Sequence, residues 1–127
     1  NIMGLDMWLY EKEQEKVEAQ AIGYWRKANQ IREFFASYAP EQSDINIEML
    51  IVNEEMLLEL KQRIMLCLTE RKEETSSELL PTSQGFFFGS TEYDDWYYQD
   101  LEISLPIIEK ALTAIKDNKL VFYHEWW

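Results

Sequence analysis

The sequence predicts an α+β fold: three main helices packed on a small, mostly antiparallel sheet that includes the N- and C-terminal strands. Residues 5–10 alternate in the manner of a strand, and residues 120–127 are rich in β-branched and aromatic side chains. Between them, three segments repeat apolar residues at helical spacing. The chain has 127 residues, of which 46% are hydrophobic, so residues 1–127 are predicted to form a single domain with one core.

The N-terminal third is predicted as a strand, a connection and a long helix. Both sides of the strand Leu5–Tyr10 are largely apolar, which is typical of a strand covered on two faces. The charged residues 11–16 then form a solvated connection or the first turn of a helix. At 100° steps, Gln20–Tyr38 presents one broad apolar face, which predicts a helix that ends before Pro40.

The middle of the chain is predicted as a short strand, a second helix and an irregular loop. Ile47–Val52 has strand composition, and Asn53 is a suitable N-cap for a helix that runs to about Glu74. Leu79–Ser90 contains a proline and two glycines around three phenylalanines, a composition typical of a structured loop or of a short strand between turns.

The C-terminal third is predicted as a long helix and a strand. Thr91 and Asp94 resemble a capping box, and helical spacing continues to about Asp117. Pro106 lies inside this range and lacks a backbone N–H, so we expect a kink or a restart of the helix just before it. The final run Leu120–Trp127 is expected to pair with the first strand.

Composition limits the classes of partner and compartment. With 24 acidic and 12 basic residues the net charge is −12, which disfavours direct nucleic-acid and membrane binding. The acidic charge fits solubility, which is the preferred interpretation, a basic protein partner, or mimicry of a polyanion. No apolar run approaches the ~20 residues of a membrane span. The single cysteine, Cys67, lies in an apolar run and predicts a buried thiol in a reducing, cytoplasmic setting. Met3-Gly4 has the form of a natural start, with Asn1-Ile2 as a cloning remnant.

The acidic residues are unevenly distributed. No basic residue occurs between Lys72 and Lys110, and a second base-free acidic stretch covers residues 41–59. If these stretches share one surface, their field would steer a basic host protein or mimic a nucleic acid.

Three motifs resemble a family of small uncharacterised proteins of tailed phages and prophages. They are Met-Gly-Leu-Asp-Met-Trp-Leu-Tyr at 3–10, Gly-Tyr-Trp-Arg-Lys-Ala-Asn at 23–29 and Leu-Pro-Thr-x-x-Gly-Phe-Phe-Phe-Gly-Ser-x-x-Tyr-Asp at 80–94. The resemblance implies a phage or prophage gene expressed in the bacterial cytoplasm, and it implies no activity. The family carries a histidine at the place that Arg32 occupies here.

Residue types exclude most familiar catalytic and metal sites. His124 is the single histidine, so no histidine pair is available for a metal. Gly85 and Gly89 flank phenylalanines and do not form a phosphate-binding loop. The acidic group around Asp94 is interpreted as complementing a helix dipole. The sequence therefore predicts no catalytic residue, no metal and no cofactor.

A polar set on the predicted first helix leaves two interpretations open. The set is Arg26, Asn29 and Arg32, and a guanidinium on or beside an apolar face requires a partner, for which Asp6 is the expected carboxylate. Alternatively, a pocket between this helix, the glycine-bracketed loop and the next helix would hold a small anionic or nucleotide-like ligand. The candidate ligand or partner residues are Trp25, Arg26, Asn29, Arg32, Phe87, Tyr93 and Asp94.

Two classes of function follow. The first is a non-enzymatic phage accessory protein that acts by binding, such as an acidic inhibitor of a host nuclease or defence complex. The second is a small-ligand-binding or enzymatic domain that uses Arg26, Asn29 and the Tyr93-Asp94 neighbourhood. The terminal Trp126-Trp127 either folds back on the core or forms part of a homodimer contact.

Overall fold

A computed structural model describes residues 4–42, 44–85 and 88–127, and within them the protein has the predicted α+β architecture. The strands are β1 (Asp6–Lys12), β2 (Ala19–Arg26), β3 (Leu50–Ile51) and β4 (Leu120–Trp126). The α-helices are α1 (Asn29–Ala36), α2 (Glu54–Glu70), α3 (Glu73–Leu79) and α4 (Asp95–Lys116), and Pro40–Gln42 forms a 3-10 turn.

The four strands form one antiparallel sheet in the order β2-β1-β4-β3. The C-terminal strand pairs with β1 along its whole length, as predicted. The inner side of the sheet carries Met7, Leu9 and Tyr123, all fully buried. The α1 residue Phe35 stacks on Tyr123 with 4.5 Å between ring centroids, so α1 packs on this side. Helix α4 also contacts β1, β2 and β4.

The predicted helix Gln20–Tyr38 is wrong in its first half. Residues Ala19–Arg26 form β2, and the helix begins only at Asn29. Trp25 is buried and its neighbours are exposed, so the apolar positions satisfy a strand as well as a helix. Pairing along β1 decides between them, because tertiary contacts override local periodicity.

The close packing of α4 on β2 explains the glycine at position 23. A Cβ built on Gly23 would lie 2.3 Å from Cγ2 of Ile107 on α4, so only glycine lets the helix approach the strand this closely. A bulge next to Gly23 shifts the register between Leu9 and Tyr10. The sheet and α4 therefore meet at a point where the strand has no side chain.

The second predicted helix is divided into two. Helix α2 begins after Asn53, whose side chain accepts a hydrogen bond from the backbone N–H of Met56 at 2.9 Å, as predicted. It ends where Arg71 adopts the left-handed conformation with φ of 51°, and α3 follows as a separate helix. The predicted strand Ile47–Val52 shortens to the two paired residues of β3.

The long C-terminal helix is capped by Asp94 and not by Thr91, because Asp94 accepts a hydrogen bond from the N–H of Tyr97 at 3.1 Å. The helix does not restart at Pro106 and continues to Lys116. In the turn before Pro106, the hydroxyl of Ser104 donates to the carbonyl of Asp100 at 2.7 Å.

The core is one cluster of buried side chains drawn from both layers. Cys67 is buried within it, as predicted, and burial raises the pKa of its thiol. Trp127 is partly buried against the core, whereas Trp126 is exposed. Among the described residues, none of the helices combines the length and the apolar character that crossing a bilayer demands.

Candidate functional site

Asn29 connects two segments that are far apart in the sequence. Its buried side-chain amide donates to the carbonyls of Phe88 and Ser90, both at 2.9 Å, and its oxygen accepts from the N–H of Ser83 at 3.0 Å. These bonds fix the loop after α3 to the start of α1. The segments 23–29 and 80–94, which carry two of the three motifs, thereby come together in space.

A cleft of about 420 Å³ opens beside this junction. Its walls come from the end of β2 and the start of α1, from the loop after α3, and from the first turns of α4. The lining residues are Arg26, Lys27, Gln30, Thr82, Gly89, Ser90, Glu92, Asp94, Trp96, Tyr97 and Asp100. This volume lies within the range of small-molecule sites, roughly 300–1,000 Å³.

The cationic wall of the cleft is built at a tight turn. Lys27 has φ of 57°, a conformation that a non-glycine residue adopts only when the surroundings hold it. Its N–H donates to the carbonyl of Leu5 at 2.7 Å, and a Cβ on Gly89, whose φ is 84°, would lie 3.1 Å from Cβ of Lys27. Lys27 forms no ion pair with any residue of the described ranges.

Arg26 is already engaged in part. Its guanidinium lies 3.1 Å from the carboxylate of Asp6, which also accepts a hydrogen bond from the hydroxyl of Tyr24. The predicted pairing of Asp6 with an arginine is therefore confirmed, and that arginine is Arg26. The pair is partly exposed, so it orients Arg26 while leaving the guanidinium at the cleft.

The opposite wall is acidic and aromatic. Burial raises the pKa of Asp100 to about 6, and the hydrogen bond from Gln30 opposes this shift. Gln30 also donates to the carbonyl of Tyr97 at 3.1 Å. Trp96 lies at the rim with 75% of its surface exposed, so a flat ring is available for stacking. The cleft thus contains two cationic and three carboxylate side chains.

Arg32 lies away from the cleft, in a buried ion pair. Its side chain is 1% exposed, and its Nε and Nη2 each lie 3.0 Å from the carboxylate of Glu125, which is fully buried. Glu125 also accepts bonds from the hydroxyl of Tyr123 at 2.6 Å and from the N–H of Ile47 at 2.9 Å. The guanidinium lies over the rings of Phe88 and Trp127. Arg32 is therefore a structural residue that joins α1 to β4.

The other predicted site residues also serve the scaffold. Trp25 is buried, and its indole N–H donates to Ser104 at 2.8 Å. The hydroxyl of Tyr93 accepts from the N–H of Thr82 at 3.1 Å and so holds the loop. Phe87 lies outside the described residues. Of the seven candidates, Arg26 and Asp94 line the cleft, and Asn29 supports it from behind.

Sequence reasoning missed Lys27, Gln30, Trp96 and Asp100. The predicted helix over 20–38 placed Lys27 on a helix surface, where a lysine attracts no attention. The sequence signal that could have identified Lys27 was its position directly after Trp25 and Arg26 in the motif at 23–29. Asp100 follows Trp96 by one helical turn, a spacing that puts both on the same side of α4.

The acidic stretches do not form an uninterrupted surface. Glu102 and Glu109 of α4 pair with Arg71 at 3.1 Å and with Lys61 at 2.7 Å. These basic residues precede the base-free stretch in sequence but lie beside it in space. In the described ranges, no group of three or more His, Cys, Asp or Glu side chains has the arrangement of a metal site.

No protein-family model matches the chain, and neither a curated protein nor a solved structure is significantly similar to it.

Proposed function

We propose that this protein binds a small nucleotide-like anion in the cleft between β2, the loop after α3 and the start of α4. The observation that carries the proposal is the convergence of two distant motif segments on one cleft, held together by the three hydrogen bonds of Asn29. A loop fixed in this way is preorganised, which reduces the entropy lost on binding.

The charges of the cleft favour a particular class of ligand. Lys27 lacks an ion-pair partner within the described ranges and is positioned to contact an anionic group together with Arg26. Carboxylates accept hydrogen bonds from the amino groups of nucleobases, and Asp100 and Asp94 face the same space. Trp96 supplies a stacking surface. A monophosphate fits this set better than a triphosphate, because the carboxylates repel additional negative charge.

The phage or prophage origin remains part of the proposal. Its support is the set of three motifs, which occur in the order that the resemblance requires. The interrupted acidic surface of α2 and α4 gives less support to an acidic inhibitor of a nuclease than a continuous one would. The ligand-binding class therefore becomes the leading proposal.

Isothermal titration with the four common nucleoside 5′-monophosphates tests the proposal. We expect at least one to bind, and the corresponding nucleoside and triphosphate to bind more weakly. Lys27→Asn removes the charge and retains a residue that tolerates positive φ, so it should weaken binding at least tenfold, about 1.4 kcal/mol. Trp96→Ala should weaken binding as well, with little effect on folding because Trp96 is exposed.

Matched controls separate the cleft from general charge effects. Lys110→Ala removes another lysine that has no ion pair among the described residues and lies far from the cleft, on the second half of α4. Trp126→Ala removes another exposed tryptophan, on β4. Both should bind like the wild type. Absence of binding by all four monophosphates at millimolar concentration, or equal binding by Lys27→Asn and the wild type, would refute the proposal.

A further inference from the structure

Gln30 places a hydrogen-bond acceptor deep in the cleft. Its side chain lines the cleft and is only 3% exposed. The amide nitrogen donates to the carbonyl of Tyr97 at 3.1 Å, which fixes the orientation of the amide. The amide oxygen accepts no hydrogen bond from any residue that the structure describes, and it is not sealed from solvent. It is therefore available to a donor on a ligand.

Asp100 adds a carboxylate that the protein itself does not neutralise. It is half-buried at the cleft and forms no ion pair within residues 4–42, 44–85 and 88–127. Burial raises the pKa of Asp100 to about 6, so the group is ionised at neutral pH and can only accept hydrogen bonds. Its charge lowers the stability of the fold at that pH, which is typical of a group that serves a ligand.

The spacing of Trp96 and Asp100 suits a flat ligand. They are four residues apart on α4, so they lie on the same side of the helix about one turn from each other. Trp96 is at the exposed rim and Asp100 lies deeper. A ring stacked on Trp96 would thus direct one edge at the carboxylate. Arg26 and Lys27 form the opposite wall, where the anionic end of the ligand belongs.

The donors and acceptors on the ring edges distinguish the four common bases. A carboxylate presents two acceptor oxygens side by side, and it is matched best by two parallel N–H groups. Guanine has this pair in its ring N1–H and its 2-amino group. Adenine and cytosine each place an acceptor nitrogen beside their amino group, and uracil has one N–H between two carbonyls. Each of these three bases would set an acceptor against a carboxylate oxygen, which is repulsive.

We infer that the ligand of the cleft is a guanine nucleotide, an inference that rests on the proposed binding of a nucleoside monophosphate. The ring N1–H and the 2-amino group donate to the carboxylate of Asp100, and the remaining amino N–H is directed at the amide oxygen of Gln30. Trp96 stacks on the base, and Arg26 and Lys27 contact the phosphate. Asp100 is thereby the residue that determines base specificity.

Calorimetric titration with four purine monophosphates tests the inference. Inosine monophosphate (IMP) differs from guanosine monophosphate (GMP) only by lacking the 2-amino group, and xanthosine monophosphate (XMP) carries an oxygen in its place. We expect the wild type to bind GMP most tightly, and IMP, XMP and adenosine monophosphate roughly tenfold or more weakly. Asp100→Asn should reverse the order of GMP and XMP, because its amide N–H pairs with the 2-oxo group and its oxygen accepts from N1–H. A purely structural role of Asp100 would not produce this reversal.

Asp95→Asn is the matched control, since it removes a neighbouring carboxylate that is exposed and does not line the cleft. It should keep the wild-type order of affinities. Asp100→Asn should fold, because an amide of the same shape replaces a destabilising charge, and thermal unfolding verifies this.

Equal binding of GMP and IMP by the wild type would overturn the assignment of guanine. So would tighter binding of the adenosine, cytidine or uridine monophosphate, or an Asp100→Asn variant that still prefers GMP to XMP. In these three cases the cleft remains a nucleotide site with a different ligand. If no monophosphate binds at all, both the guanine assignment and the proposed function are refuted.

Discussion

Replacing Arg32 with methionine should strongly destabilise the protein. Arg32 is buried, and its guanidinium lies 3.0 Å from the fully buried carboxylate of Glu125. Methionine fills part of the volume but leaves Glu125 with the hydroxyl of Tyr123 and the N–H of Ile47 as its donors. Removing one partner of a buried pair costs about 3–5 kcal/mol. For a domain of this size we expect the melting temperature to fall by roughly 10–20 °C.

A double-mutant cycle separates the ion pair from simple loss of packing. Glu125→Leu alone should also be destabilising, because it leaves the guanidinium of Arg32 buried without its main partner. The double variant Arg32→Met, Glu125→Leu removes both charges of the buried pair, so it should be more stable than the sum of the two losses predicts. We expect a coupling of about 2–3 kcal/mol from urea unfolding of the four proteins.

Two outcomes of the same cycle would refute the conclusion that the pair of Arg32 and Glu125 stabilises the fold. If the two losses add, the two side chains are energetically independent and the short distance between them contributes no stability. If Arg32→Met is neutral, the carboxylate of Glu125 is stabilised by its other donors alone. A control change at Lys61, whose pair with Glu109 lies on the surface, should cost no more than about 1 kcal/mol.

Three further changes test the fold and the cleft. Gly23→Ala should cost about 1–3 kcal/mol, because its Cβ would meet Ile107 at 2.3 Å; an unchanged melting temperature would contradict the packing. Asp100 has a folded pKa near 6 against an ordinary 3.8, so the folded protein binds more protons and stability should fall as pH rises between these values. Allowing for partial exposure, the loss is about 2 kcal/mol, and Asp100→Asn should abolish it in urea unfolding at pH 4 and pH 7. Asn53→Ala should cost about 1 kcal/mol in the same assay, because the N–H of Met56 loses its acceptor; a cost near zero would argue against the cap.

The sequence alone predicted those elements whose residue pattern fits only one kind of secondary structure. Alternation in residues 5–10 and the β-rich run 120–127 predicted the two central strands, and Asn53 predicted the start of α2. The segment 19–26 was not predictable in this way. Its apolar residues satisfy both a helix and a strand, and the pairing with β1 that decides the outcome is not visible locally.

The site was predicted in outline only. A cleft lies near the expected pocket and is lined by Arg26 and Asp94 of the candidate residues, whereas Trp25 and Arg32 do not line it. The partner of Arg32 was not found, because Asp6 was the carboxylate expected to pair with an arginine and Glu125 lies in the terminal strand, far away in the sequence. Which of several carboxylates meets a given arginine depends on strand register, and register is a long-range property.

The position of β1 and β4 at the centre of the sheet has a consequence for folding kinetics. The ion pair between Lys119 and Glu11, at the junction of these strands, joins residues 108 positions apart in the chain. The β1–β2 hairpin and the α2–α4 contact can form early, but neither has a complete surface to pack on until β4 closes the loop. Because closing so long a loop is entropically costly, we expect the pairing of β4 with β1 to be a slow step of folding. During synthesis, the sheet can therefore be completed only after β4 has left the ribosome.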